Sequence, residues 1–185
     1  QSKVSTTKGD IQRQWSPIER RWCFLGKNSR PVLRVARRMI AVDTNILVYA
    51  HREDSPWHDS AYASVVGLAE GRALWAIPWP CIYEFLALVT HPRIYSPPTQ
   101  LAASIDQIGA WFESPSLMLL KETKGYWTQF TKVIESGRIV GGQIHDARIA
   151  ALCHLHEVKE LWTADRDFSR FSGISVRNPL IKSQM

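Results

Sequence analysis

Cysteine is scarce in this chain: three in 185 residues, at positions 23, 81 and 153, with no CxxC spacing. That excludes a disulfide framework and a zinc knuckle, and it fits a reducing cytoplasm. Cys81 and Cys153 stand among apolar neighbours, where inert, buried thiols are expected. Long apolar runs are missing too, since no stretch approaches the roughly 20 residues of a membrane span. A soluble protein without a membrane partner is expected. Histidine never occurs in an HxxxH spacing, and His154 and His156 cannot face one side of a helix. His145, His154 and His156 are therefore read as surface or packing residues. No internal repeat is found.

Acid is missing from one end only. Residues 1–38 hold ten of the 23 basic residues but two of the 17 acidic ones, a net +8 that leaves the remainder at −2. The formal charge of +6 thus belongs to the leader, and the body is no broadly cationic nucleic-acid binder. The leader has no sustained period and is expected to be a poorly ordered basic extension, with Trp15 and Trp22 available for stacking on bases. A domain is expected over 39–185, starting where Met39 runs into Ile40, Ala41, Val42 and Asp43.

From Met39 onward, strand-like and helix-like stretches alternate. Strands are expected at 40–43, 73–77, 117–120, 159–163 and 174–176, and helices at 44–50, 58–70, 81–89, 99–112, 126–135 and 144–156. Thr44 is a candidate cap for the first helix, Gly71 and Gly137 are helix stops, and Leu101, Ile105, Ile108 and Phe112 fall at helical spacing. Trp75, Trp79, Trp111, Trp127 and Trp162 are expected in the core or at an interface. The alternation implies an α/β fold, a mostly parallel sheet of about five strands flanked by helices on both faces.

Four acids, Asp43, Glu84, Asp146 and Asp165, stand where apolar segments meet a turn or a helix. Each alone could cap a helix or carry a structural charge. Gathered at the carboxyl ends of the strands, where such folds bind ligands, they would repel one another unless a divalent cation neutralised them, and hard oxygen donors suit Mg²⁺ or Mn²⁺. That chemistry points to phosphodiester hydrolysis by metal-activated water. Two other readings stay open at this level: a catalytically silent RNA- or partner-binding module, and a metal-dependent phosphatase. The phosphatase reading is weakened because Asn45, not a second Asp, stands two residues after Asp43.

The segments Ile40-Ala41-Val42-Asp43-Thr44-Asn45-Ile46-Leu47, Glu84 in its apolar helix, His145-Asp146-Ala147-Arg148-Ile149-Ala150 and Thr163-Ala164-Asp165-Arg166-Asp167-Phe168 occur in order. Together they resemble the PIN domain family and, within it, the VapC-type ribonuclease toxins of toxin-antitoxin pairs. The resemblance spans roughly residues 39 to 180, and the leader departs from it. It implies a five-stranded parallel sheet, a divalent-metal endoribonuclease, a protein antitoxin and a homodimer. Carried over by position, Asp43, Glu84, Asp146 and Asp165 are the catalytic and metal-binding acids, with Asp167 a substitute or helper to the last. Asn45 and Thr163 match polar positions that orient the acids or the metal-bound water. Arg148 and Arg166, beside the acids in sequence, are candidates for holding RNA phosphate, with a structural ion pair the alternative at each.

Overall fold

A computed structural model of the chain describes residues 39–181. The expectations for residues 1–38, with Trp15, Trp22 and Cys23 among them, lie outside the described residues.

Five strands form one parallel sheet in the order β3-β2-β1-β4-β5: β1 Ile40–Val42, β2 Trp75–Pro78, β3 Leu117–Leu120, β4 Glu160–Trp162 and β5 Ser175–Arg177. Every residue of β2 and β4 is buried. Successive strand residues point to opposite faces, so a run buried throughout means that both faces are covered. The covering helices among the described residues are α1 Thr44–His51, α2 His58–Ala69, α3 Trp79–Val89, α4 Leu101–Phe112, α5 Tyr126–Gly137 and α6 Ile144–Leu155. None is long and apolar enough to cross a membrane. The α/β expectation therefore holds, with strand and helix ends displaced by one or two residues in several places.

Strand order decides where a site can form. β1 lies at the centre, with Ala41 paired to Ala76 on one side and to Leu161 on the other. The chain leaves β1 toward β2 on one side, and β4 docks on the other. The crevice at the carboxyl ends of β1 and β4 is therefore the topological switch point.

Three local expectations differ from the structure. The cap of α1 is Asp43, one residue before Thr44: its backbone is extended and its carboxylate accepts the Thr44 N–H. The left-handed residue ending α5 is Arg138, at φ 49°, rather than Gly137. There the Ile139 N–H bonds the Ile134 carbonyl at 2.9 Å, and Ile139 is buried. Seating Ile139 in the core offsets the cost of a left-handed non-glycine.

The third concerns α4. It does not bury the stripe through Leu101 and Ile105, which are 60% and 53% exposed; it buries Ser104, Ile108 and Trp111. Trp111 stacks edge-on with the buried Phe85 ring at 4.9 Å between centroids. Ser104 tolerates burial because its hydroxyl donates to the Gln100 carbonyl. Filling the core with an indole outweighs hiding two aliphatic side chains. Of the other tryptophans, Trp75 and Trp162 are buried and Trp79 is half-buried, but Trp127 is exposed.

Gly71 is required by close approach. A Cβ there would lie 2.6 Å from the Gly67 carbonyl oxygen as the chain leaves α2. Cys81 and Cys153 are fully buried, and burial pushes Cys153 up to about 12 and Cys81 well above the usual thiol range. Both are therefore thiols at neutral pH, as expected for inert core residues.

Candidate active site

Asp43 ends the central strand and caps α1, so it is held from both sides. Its Oδ1 accepts the Thr44 N–H at 2.8 Å. Its Oδ2 accepts the Thr163 hydroxyl and the Asn45 amide, each at 2.7 Å. Thr163 directly follows β4, and its Oγ1 also accepts from Asn45 Nδ2 at 2.8 Å and from the Asp165 N–H at 3.0 Å. One hydroxyl thus uses its single donor and both lone pairs. Asn45 Oδ1 accepts the Ala164 N–H at 3.0 Å. Asn45 therefore bridges the start of α1 to the turn after β4 with both ends of its amide. The resemblance implies an orienting role for Asn45, and its side chain is bonded to Asp43, Thr163 and Ala164.

The other acids arrive from separate elements. Glu84, on α3, is exposed, and its Oε2 accepts the Thr44 hydroxyl at 2.6 Å. Asp146 lies in the first turn of α6, half-buried, where a carboxylate also suits the helix dipole. Asp165 caps the short 3₁₀ helix Arg166–Arg170, its carboxylate accepting the Asp167 N–H at 2.8 Å.

Asp43, Glu84, Asp146 and Asp165 all line one pocket of about 230 Å³. Thr44, Asn45, Tyr49, Tyr95, His145 and Phe168 are among its other walls, and no Lys or Arg lines it. Strand order, not sequence proximity, brings the four together.

Burial, and after it the neighbouring acids, disfavour charge on two of these carboxyls. Burial raises the Asp43 carboxyl to about 6 despite the hydrogen bonds from Thr163 and Thr44 that oppose it, and Glu84 and Asp146 add to the rise. The Asp146 carboxyl is also raised, first by burial and then by Asp165 and Asp167. A pocket that resists ionising its own acids is one that a cation would relieve.

The donors fit a hard divalent ion: carboxylates with neutral hydroxyl and amide groups behind them, and no Lys or Arg on the walls. Among the described residues no three of the acids, histidines or cysteines converge on one ligand point. The acids ring a space rather than close a coordination sphere. Asp43 is the fixed member, and Glu84 and Asp165 are exposed.

The remaining candidates fare unequally. Asp167 is exposed and pairs with Arg170 at 3.2 Å; it does not line the pocket, though its charge reaches Asp146. Arg148 pairs with Glu122, at 3.0 Å from Nε and 2.9 Å from Nη2. Arg148 thus forms the ion pair that was the alternative reading for it, with both side chains exposed. Arg166 is exposed in the 3₁₀ helix beside Asp165.

Tyr49, Tyr95 and His145 were not singled out as site residues from the sequence. The position of His145 next to Asp146 was its only local signal, and Tyr95 had none.

The hydroxyl of Thr163 yields a prediction of its own. Thr163→Val keeps the shape but removes the donor to Asp43, and loss of such a supporting contact typically costs about 10- to 100-fold in metal affinity or activity. Calorimetric titration with Mn²⁺ should show weaker binding at that scale. Unchanged affinity would make Thr163 a packing residue.

The model of the PIN domain matches residues 40–174. Ribonuclease VapC48 of Mycobacterium tuberculosis is 31% identical over 137 residues, which cover 74% of this chain and 94% of that protein. Among solved structures, VapC20 of Mycobacterium tuberculosis, a Sarcin-Ricin loop cleaving toxin, superposes with a TM-score of 0.56 at 16% identity over 75% of this chain and 99% of its own. VapBC2 from Rickettsia felis, bound to a DNA fragment from its promoter, gives a TM-score of 0.56 at 19% identity, covering 76% and 98%. At these identities the two structures speak for the fold alone.

Proposed function

We infer the function from one premise: the chain belongs to the PIN domain family. The protein is a VapC-type ribonuclease toxin, a hydrolase acting on RNA phosphodiester bonds. The observation that carries this reading is the convergence of Asp43, Glu84, Asp146 and Asp165 on one pocket with no Lys or Arg on its walls. Residues 39–185 are its nuclease domain, and 1–38 a basic extension.

Mg²⁺ or Mn²⁺ would be held by Asp43 and Asp146, with Glu84 and Asp165 completing the set. When bound, such an ion supplies charge neutralisation at the phosphate and a more acidic attacking water. The chain's own residues do the rest. Asn45 and Thr163 hold the Asp43 carboxylate in one orientation. Thr44 holds Glu84, which orients the water and accepts its proton. Water adds to phosphorus as the bond to the ribose O3′ breaks, leaving 5′-phosphate and 3′-hydroxyl ends.

A scissile phosphate reaches such a pocket from a single-stranded or looped segment, because A-form grooves hide it. Incubating the purified protein with RNA and mapping both product ends tests this. Cleavage should require added Mg²⁺ or Mn²⁺ and stop with chelator. Cleavage that survives chelation, or 2′,3′-cyclic phosphate ends, would contradict the mechanism.

The partner is a protein antitoxin. An amphipathic segment would find an apolar groove of about 590 Å³ between α2 and α4, lined in part by Tyr62, Val65, Val66 and Trp111. Homodimerisation is proposed from the family and from the exposed Leu101 and Ile105 on α4.

A further inference from the structure

We propose that Tyr95 is the platform on which a nucleobase next to the scissile phosphate stacks, and that Arg52 is the residue that positions it. The proposal rests on the ribonuclease reading and adds to it how the substrate is gripped.

The need arises from charge. Four carboxylates line the pocket and no Lys or Arg does, while the chain from Met39 onward carries a net −2. Phosphate contacts, the usual source of affinity for nucleic acid, are not supplied by these walls. A neutral aromatic surface holds a base without regard to that field, and every base offers a π-face to it.

Tyr95 is built for this. It lies in the segment between α3 and α4, half-buried, and lines the same pocket as the four acids. The Arg52 guanidinium stands 4.2 Å from its ring centroid. Arg52 is not a pocket-lining residue, so Tyr95 is the member of this pair that reaches the pocket.

Arg52 itself is fixed on every side. Nε donates to Asp54 Oδ1 at 2.8 Å and Nη2 to Asp54 Oδ2, while Nη1 donates to the Pro97 carbonyl and to Thr99 Oγ1, both at 3.2 Å. The segment is tied down at two further points: the Tyr95 N–H bonds the His91 carbonyl at 3.1 Å, and the Thr99 N–H bonds the Val89 carbonyl at 2.8 Å. Arg52 directly follows α1, the helix capped by Asp43. One short helix therefore carries the buried acid at its start and the clamp for the aromatic wall at its end.

A tyrosine kept only for packing does not need an arginine held by four side-chain hydrogen bonds beside its half-buried ring. A stacking platform does, because ordering the ring beforehand removes that cost from substrate binding.

The test uses an oligoribonucleotide containing a cut site of the wild-type protein, mapped first by end sequencing, and versions of it with an abasic residue at each nucleotide flanking the cut. In the wild type, one abasic position should raise KM about 5- to 150-fold, the range of one base stacked on an aromatic side chain, with a smaller change in kcat. Tyr95→Phe should behave as the wild type. Tyr95→Leu should raise KM for the intact RNA by the same factor and lose most of its sensitivity to the abasic position. Arg52→Gln should raise KM in the wild-type background but add little to Tyr95→Leu, because it acts through the ring.

Equal abasic sensitivity in wild type and Tyr95→Leu overturns the assignment, and so does a Tyr95→Leu effect confined to kcat. Thermal melts of each variant separate loss of fold from loss of stacking. Failure of the wild type to cut any RNA would overturn the ribonuclease reading together with this one, whereas cleavage without the KM pattern removes the platform alone.

Discussion

Asp43→Asn should lower RNA cleavage on the order of 10³-fold while the protein stays folded, the scale of removing one preorganised electrostatic contact from a reacting centre. The carboxylate is 4% exposed and receives the Thr44 N–H, the Thr163 hydroxyl and the Asn45 amide. Asparagine fills the same volume but brings one acceptor oxygen and an NH₂, and it removes the negative charge. If its oxygen keeps Thr163 and Asn45, its NH₂ faces the Thr44 N–H, and the cap of α1 is lost at about 0.5–2 kcal/mol. Asp146→Asn asks the same catalytic question without touching that network. Single-turnover cleavage beside circular dichroism decides the outcome. Full activity in both folded variants would remove the acids from the chemistry.

The second large effect is on stability, and it follows from the same buried carboxyl. The folded Asp43 carboxyl titrates at about 6, against a reference of 3.8. A raised folded pKa means that the native state holds the proton more tightly than the unfolded chain. The associated stability is fully present below about pH 4 and is lost as pH rises through about 6. Roughly two pH units at 1.36 kcal/mol each put the loss at about 3 kcal/mol. The raised Asp146 acts in the same direction.

The difference in unfolding free energy between metal-free wild type and Asp43→Asn isolates this contribution. The lost cap offsets the two curves by a constant, so the offset itself decides nothing. Its change with pH carries the prediction: from pH 4 to pH 7.5 the variant should gain about 2 kcal/mol on the wild type, the rest of the loss falling below pH 4. Adding Mn²⁺ at pH 7.5 should raise the wild-type Tm by several degrees and leave the variant nearly unmoved. A difference that stays flat across the titration would show that the Asp43 carboxyl is not under the strain its burial implies.

Much of this was legible in the sequence, because some features are local. A strand that ends in an acid, a helix opened by Pro or by a capping side chain, and the alternation of apolar stretches all depend on neighbours a few residues away. Asp43 after Ile40-Ala41-Val42 and Asp165 after Trp162-Thr163-Ala164 could be marked as strand-end acids for that reason. The α/β class followed from the same kind of signal. Residues with two local possibilities were harder. Arg148 could have faced a phosphate or Glu122, and only the packing of α6 against the segment before α5 gives it Glu122.

Sequence alone therefore determined the class of fold, the chemical type of the four acids and their order along the chain. It did so because periodicity and element ends are written in adjacent residues. Tertiary structure decided which side chains share the pocket. Thr44 meets Glu84 across 40 residues and Thr163 meets Asp43 across 120, while Tyr95, with no motif of its own, lines the same pocket as the acids with Arg52 over its ring. Such encounters depend on strand order and on which helix face the core accepts. α4 shows the same rule, turning its aliphatic stripe outward so that Trp111 can reach Phe85.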